Sequence, residues 1–124
     1  MGLPPERLPT LMLAHQKRLG RLAEAEIQQL GESIAATLVG EGLAACVSRV
    51  PGLVSVYRWQ GEVEEANEVT LLMKTTQRRY AQLQQAIVAA HPYDVPEVIA
   101  WPLADGHPPY LHWVAAEISQ DDHA

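Results

Sequence analysis

The feature that most constrains this sequence is a long strand-like stretch that runs from Leu43 to Lys74. Small and β-branched residues fill its first part, apolar and polar side chains alternate in its middle, and Val69–Lys74 is an apolar run. Pro51-Gly52 predicts a bend or bulge, and Gln60-Gly61 predicts a tight turn. The stretch therefore predicts one bent hairpin whose strands exceed the usual length of about 5–6 residues.

A hairpin of this length must reach beyond the body of a small domain. The chain has 124 residues, which predicts a single domain over residues 1–124, with loose ends at 1–7 and 121–124. The protruding part of the hairpin would leave unpaired strand edges that need a cover. We therefore expect another subunit to supply that cover, so the sequence predicts self-association.

The remaining segments complete a β-α-β-β-α-β order that is followed by a third helix. Apolar periodicity predicts helices at Ala23–Val39, from the capping pair Thr75-Thr76 to His91, and at Pro109–Gln120. Glu97–Trp101 reads as a strand, whereas Thr10–Ala14 fits either a first strand or the start of a helix. We choose a strand, because this order then predicts an α+β, ferredoxin-like fold. Such a fold has a four-stranded antiparallel sheet with helices on one face.

Composition excludes several classes of function. The net charge of −6 argues against nucleic acid, whose binders need a basic face, and no apolar run approaches the length of a membrane span. The single cysteine, Cys46, cannot form an internal disulfide, which favours a reducing compartment and predicts a cytoplasmic protein. The sequence contains no phosphate-binding loop, nucleophile elbow or zinc-protease motif, so we do not expect an enzyme.

Cys46 and His91 are the candidate metal ligands. A thiolate is a soft ligand that suits copper or zinc, although a free cysteine is also a common buried apolar residue. His91 lies at the predicted end of a helix, where the partial negative charge favours an imidazolium. It can therefore serve as a polar group of a site or only as a helix cap.

A second candidate site surrounds the turn that follows His91. If this turn folds back, the imidazole of His91, the hydroxyl of Tyr93 and the carboxylate of Glu97 can line one cleft, with Lys74 at the adjacent strand end. Such a set suits a small anionic ligand or a metal ion. The alternative interpretation is helix capping together with a structural ion pair.

Several motifs in one unbroken order give the sequence a family resemblance. They are Leu43-Ala44-Ala45-Cys46-Val47, Pro51-Gly52, Ser55-Val56-Tyr57-Arg58-Trp59-Gln60-Gly61, Glu68, Lys74-Thr75, His91-Pro92-Tyr93, Pro96-Glu97-Val98-Ile99-Ala100, and Tyr110-Leu111 with Trp113. By these motifs the sequence resembles the CutA divalent-cation-tolerance family. The resemblance implies a ferredoxin-like trimer with long hairpins exchanged between subunits, a role in tolerance of divalent cations, copper above all, and a similarity in shape to PII signal proteins.

Three hypotheses about function follow from these observations. The first is a homotrimer that binds a divalent cation, copper in particular, through Cys46 and His91. The second is a PII-like signal module that binds a small anionic ligand in clefts between subunits, through Lys74, Tyr93 and Glu97. The third is a purely structural trimer without a specific small ligand.

Overall fold

The computed structural model describes residues 9–17, 24–90 and 96–118, and it confirms the predicted α+β class. The helices are α1 (Glu24–Gly40), α2 (Tyr80–Ala90) and α3 (Pro108–Glu117), and a 3₁₀ turn at Gln77–Arg79 leads into α2. The strands are β1 (Pro9–Lys17), β2 (Cys46–Trp59), β3 (Glu62–Thr76) and β4 (Glu97–Pro102). No helix in the described ranges is long and apolar enough to cross a membrane.

The strands form one antiparallel sheet in the order β2-β3-β1-β4. β1, which contains the predicted strand Thr10–Ala14, lies between β3 and β4 and extends beyond it to Lys17. Pairing with two neighbours fixes this segment as a strand, and this information is not present in its local periodicity. β2 and β4 are consequently the two edges of the described sheet.

The main core lies between α1, α2 and one face of β3. Val69, Leu71 and Met73 alternate along β3 and present their side chains to this core. The helices contribute apolar residues at helical spacing, namely Ile27, Ile34, Leu38, Leu83 and Ile87. Burial of each large aliphatic side chain contributes about 1.5–3 kcal/mol, so this layer holds the helices on the sheet.

The segment between α1 and β2 joins the same core. Leu43 and Ala44, which we expected to begin a strand, lie in a turn before β2 and are buried. Thr75 donates a hydrogen bond of 2.6 Å from its Oγ1 to the carbonyl oxygen of Leu43.

The prediction that Thr75 and Thr76 cap a helix is wrong. Both residues end β3, and Thr76 makes no side-chain cap at the 3₁₀ turn because tertiary pairing takes precedence there.

A bulge bends the hairpin at the predicted place. Val50 pairs with Thr70 and Leu53 pairs with Glu68, so Pro51 and Gly52 together oppose a single residue of β3. Gly52 has a φ of +80°, which glycine adopts without steric cost. The predicted tight turn is also present, because Gln60 and Gly61 have φ values of 50° and 83° and connect Trp59 to Glu62.

Within the described residues, the part of the hairpin beyond Glu68 pairs with no third strand. β1 ends at Lys17, which pairs with Glu68, so residues 54–67, here called the hairpin arm, form a two-stranded ribbon. Val54, Val56 and Val63 in the arm are 59%, 66% and 64% exposed. A two-stranded ribbon with an uncovered apolar stripe is at most marginally stable by itself.

Candidate functional site

Cys46 and Lys74 meet at the end of the sheet from which β2 begins. The two residues are direct cross-strand partners in the β2–β3 ladder, so their side chains lie on the same face of the sheet. The Lys74 ammonium Nζ lies 3.9 Å from the Cys46 Sγ and donates toward it. Both side chains are half-buried. The strand register therefore places a soft sulphur ligand beside a positive charge.

The same register separates Lys74 from Glu97 within one chain. Lys74 shares a row of the sheet with Leu11 and Trp101, whereas Glu97 shares a row with His15 and Thr70. The two rows are about 13 Å apart along the strands, and the two residues lie about 10 Å apart across them. Lys74 and Glu97 therefore do not lie side by side within one chain.

The other two predicted site residues, His91 and Tyr93, lie outside the described residues, so their roles stay predictions. In the described ranges, no three or more histidine, cysteine, aspartate or glutamate side chains are grouped closely enough to hold a metal ion. The donor that does fit copper chemistry is the Cys46 thiol, which is soft and half-buried. A complete metal site on Cys46 would need ligands beyond those that the described residues group around it.

The structure also contains a cleft that the sequence did not predict. Its volume is about 250 Å³, and it lies where β4 ends against the start of α2. The lining residues are Gln77, Tyr80, Ala100, Trp101 and Pro102. Trp101 is 43% exposed on the edge strand β4. In the sequence, only Trp101 in the predicted strand Glu97–Trp101 could have pointed to this cleft. The other lining residues come from a distant segment, Gln77 and Tyr80, which the fold brings next to β4.

The surroundings of Tyr57 in the hairpin arm favour its protonated form. Partial burial, the hydrogen bond that its hydroxyl donates to Glu64 (3.3 Å), and the negative charges of Glu64 and Glu68 raise the pKa of Tyr57 above its ordinary value of 10.0. Compared with the unfolded chain, the folded state thus holds the proton of the Tyr57 hydroxyl more tightly.

We expect this pKa shift to make stability depend on pH in alkaline solution. The contribution of Tyr57 is fully present below pH 10, and it is lost as the pH rises through the raised pKa, because the unfolded chain then releases the proton more readily. The free energy of unfolding, measured in urea between pH 8 and 11.5, should fall more steeply for the natural chain than for Tyr57→Phe. Equal slopes for the two proteins would contradict this assignment.

The fold and the Cys46–Lys74 pair together define a small α+β domain with a long hairpin arm and a soft ligand at one end of its sheet. Residues 22–117 match the family model described as CutA1 divalent ion tolerance protein. The chain belongs to this family.

Individual relatives agree with this assignment. The chain is 51% identical over 87 residues to the divalent-cation tolerance protein CutA of Thermus thermophilus, covering 70% of this chain and 84% of that protein. It is 42% identical to protein CutA of Mus musculus, where the match covers 70% of this chain but only 49% of the longer mouse protein.

Solved structures give the same result for the fold. The structure of the divalent cation tolerance protein from Thermus thermophilus has a TM-score of 0.80 and 40% identity, and the match covers 90% of this chain and 100% of that one. CutA1 from Oryza sativa has a TM-score of 0.80 and 32% identity, and the match covers 92% of this chain and 96% of that one.

Proposed function

We propose that this chain forms a cytoplasmic homotrimer that binds a divalent cation, copper in particular, through Cys46 and His91 and does not act as an enzyme. The observation that carries the proposal is the half-buried Cys46 thiol in a chain of the divalent ion tolerance family. The Thermus thermophilus relative is itself called a divalent-cation tolerance protein. Soft thiolate ligands select copper and zinc, and imidazole also binds copper, so Cys46 and His91 are residue types that suit this metal.

Two open sheet edges support a ring of subunits. β2 and β4 are the two edges of the described sheet, and the order β2-β3-β1-β4 is the one expected of a ferredoxin-like plan. When one edge of each copy contacts the other edge of the next, the contact is head to tail, and a rotation of one third of a turn between neighbours closes three copies into a ring. The exposed valines of the hairpin arm supply the apolar surface for this contact. Three copies agree with the assembly that the family resemblance implies.

A trimer could also supply the additional ligands that a metal ion on the Cys46 thiol needs. In the described residues of one chain, Cys46 belongs to no group of three or more potential metal ligands, whereas a ring would bring three copies of Cys46 and three of His91 into one assembly. Copper bound in this way would be held by sulphur and imidazole, which are both common ligands for it. Metal binding would then depend on assembly.

Native mass spectrometry with copper tests this function. The natural protein should appear as a trimer that takes up a fixed number of copper ions, and Cys46→Ser should stay trimeric and lose them. The double variant Cys46→Ser/Ser48→Cys is a matched control, because it moves the thiol two residues along the same face of β2. It should not restore uptake. A trimer whose copper uptake is the same with and without Cys46 would contradict the proposal.

The alternative function is that of a PII-like module that binds a small anionic ligand between subunits through Lys74, Tyr93 and Glu97. The cleft of about 250 Å³ beside the edge strand β4 supports a small-ligand site at this edge, because a neighbour bound there would enclose it; its described lining contains neither Lys74 nor Glu97, which would have to come from that neighbour. Thermal-shift screening of the trimer with nucleotides and carboxylates tests this alternative. Stabilisation by an anion that Lys74→Gln abolishes would favour it over copper binding, and a trimer that responds to neither ligand class would favour a purely structural role.

A further inference from the structure

We propose that the cleft between β4 and the start of α2 binds a small, uncharged aromatic molecule that carries an amide. The cleft has a volume of about 250 Å³ and lies beside the edge strand β4. The inference goes beyond the proposed function, because it does not depend on metal binding by Cys46. It also differs from the alternative anion site, because it needs no charged group from a neighbouring subunit.

The volume of the cleft determines the size of its ligand. Sites for drug-sized molecules enclose about 300–1,000 Å³, whereas a cavity of about 150 Å³ is large enough for benzene. The cleft of about 250 Å³ therefore fits one ring with a substituent or two fused rings. Ala100 lines the cleft and contributes only a methyl group, so a larger side chain at this position would occupy part of the space.

Two of the lining residues are aromatic and favour a flat ligand. Tyr80 begins α2 and packs partly against the main core, which limits the orientations of its side chain. Trp101 lies on β4 and is 43% exposed. Offset and edge-to-face contacts with such rings are more favourable for an aromatic ligand than for an aliphatic one of the same size.

The polar groups of the lining favour an amide over an anion. The carboxamide of Gln77 can donate and accept hydrogen bonds at the same time, which matches an amide on the ligand. Arg78 and Arg79 follow Gln77 in the chain, but neither of them lines the cleft, and the buried Arg79 donates a hydrogen bond to Gln82. No residue of the described lining is charged, so an anion would lose hydration there without gaining an ionic partner.

NMR spectra of the natural protein with nicotinamide test this site, because nicotinamide has one aromatic ring and one amide. The three tryptophans, Trp59, Trp101 and Trp113, give three indole N–H signals. They are similarly exposed in the chain (41%, 43% and 44%), so Trp59 and Trp113 report non-specific contacts. Nicotinamide at millimolar concentration should shift the Trp101 signal alone. No shift of this signal, or equal shifts of all three, would overturn the inference.

Two substitutions in the lining test the contacts. Ala100→Leu should lower the affinity for nicotinamide about tenfold or more, because the larger side chain fills the cleft. Gln77→Leu should lower it about two- to tenfold, the range for the loss of one hydrogen bond. Ile99→Ala is the matched control, since Ile99 is equally exposed (44%) on β4 but does not line the cleft, and its affinity should stay within about twofold. An unchanged affinity in Ala100→Leu, or an equal loss in Ile99→Ala, would overturn the inference.

Nicotinate distinguishes this site from the alternative anion site. It has the same ring, with a carboxylate in place of the amide at neutral pH, and we expect it to bind at least about fivefold more weakly than nicotinamide. Equal or tighter binding of nicotinate would overturn the inference and favour the anion site. Cys46→Ser should bind nicotinamide as the natural protein does, so a failure of the copper proposal and a failure of this inference give different results.

Discussion

The double variant Val56→Lys/Val63→Asp is expected to be a monomer under conditions in which the natural chain is a trimer. The two valines belong to the exposed apolar stripe of the hairpin arm. Val56 pairs with Glu65 and Val63 pairs with Arg58, so each new charge faces an opposite charge across the ribbon and the arm keeps its pairing. An interface over this stripe would lose about 1.5–3 kcal/mol of burial per valine and would also have to desolvate two charges.

Sedimentation velocity at micromolar concentration measures this outcome directly. Val88→Lys is the matched control, since Val88 is a comparably exposed valine (45%) that lies on α2 instead of the arm. The control should remain trimeric. A double variant that sediments as a trimer would show that the arm is not the surface through which subunits associate, and the proposed ring through β2 would then be wrong.

Leu83→Ala is expected to lower the free energy of unfolding by about 2–5 kcal/mol. Leu83 has no exposed surface and lies in α2 within the core that joins both helices to β3. The truncation leaves a cavity between layers that cannot easily close, so it loses both transfer free energy and contacts. For a domain of this size such a loss is a large fraction of the total stability.

Urea unfolding at one fixed protein concentration measures the loss, because oligomers gain apparent stability with concentration. Val88→Ala serves as the control on the same helix, and we expect it to change stability by less than about 0.5 kcal/mol. Losses of similar size in both variants would indicate that α2 does not pack as described.

Much of the secondary structure could be predicted from the sequence because its determinants are local. The apolar stripe of α1, the bulge at Pro51-Gly52 and the turn at Gln60-Gly61 each depend on residues within a few positions of one another. The conformations of β1 and of the pair Thr75-Thr76 were harder to predict from the sequence. Their conformations depend on strand neighbours and on the carbonyl of Leu43, which lie far away in the sequence.

The candidate site was less predictable for the same reason. From the sequence, Cys46 and Lys74 were assigned to two different sites. Their separation along the chain does not show that the β2–β3 register pairs them. The bulge and the turn together determine which residue of β3 faces Cys46, and this residue is Lys74. No periodicity within either strand contains that information.

The bulge at Pro51-Gly52 also affects how related chains can differ in length. Two residues of β2 occupy the place of one there, so a chain that is one residue shorter at this point would keep a regular ladder with every later side chain on its present face. A one-residue insertion elsewhere in the arm would exchange the valine stripe with the face that carries Tyr57 and Trp59. Evolution can therefore remove a residue at the bulge without inverting the arm, and when related sequences are aligned, a single-residue gap in β2 belongs at Pro51-Gly52.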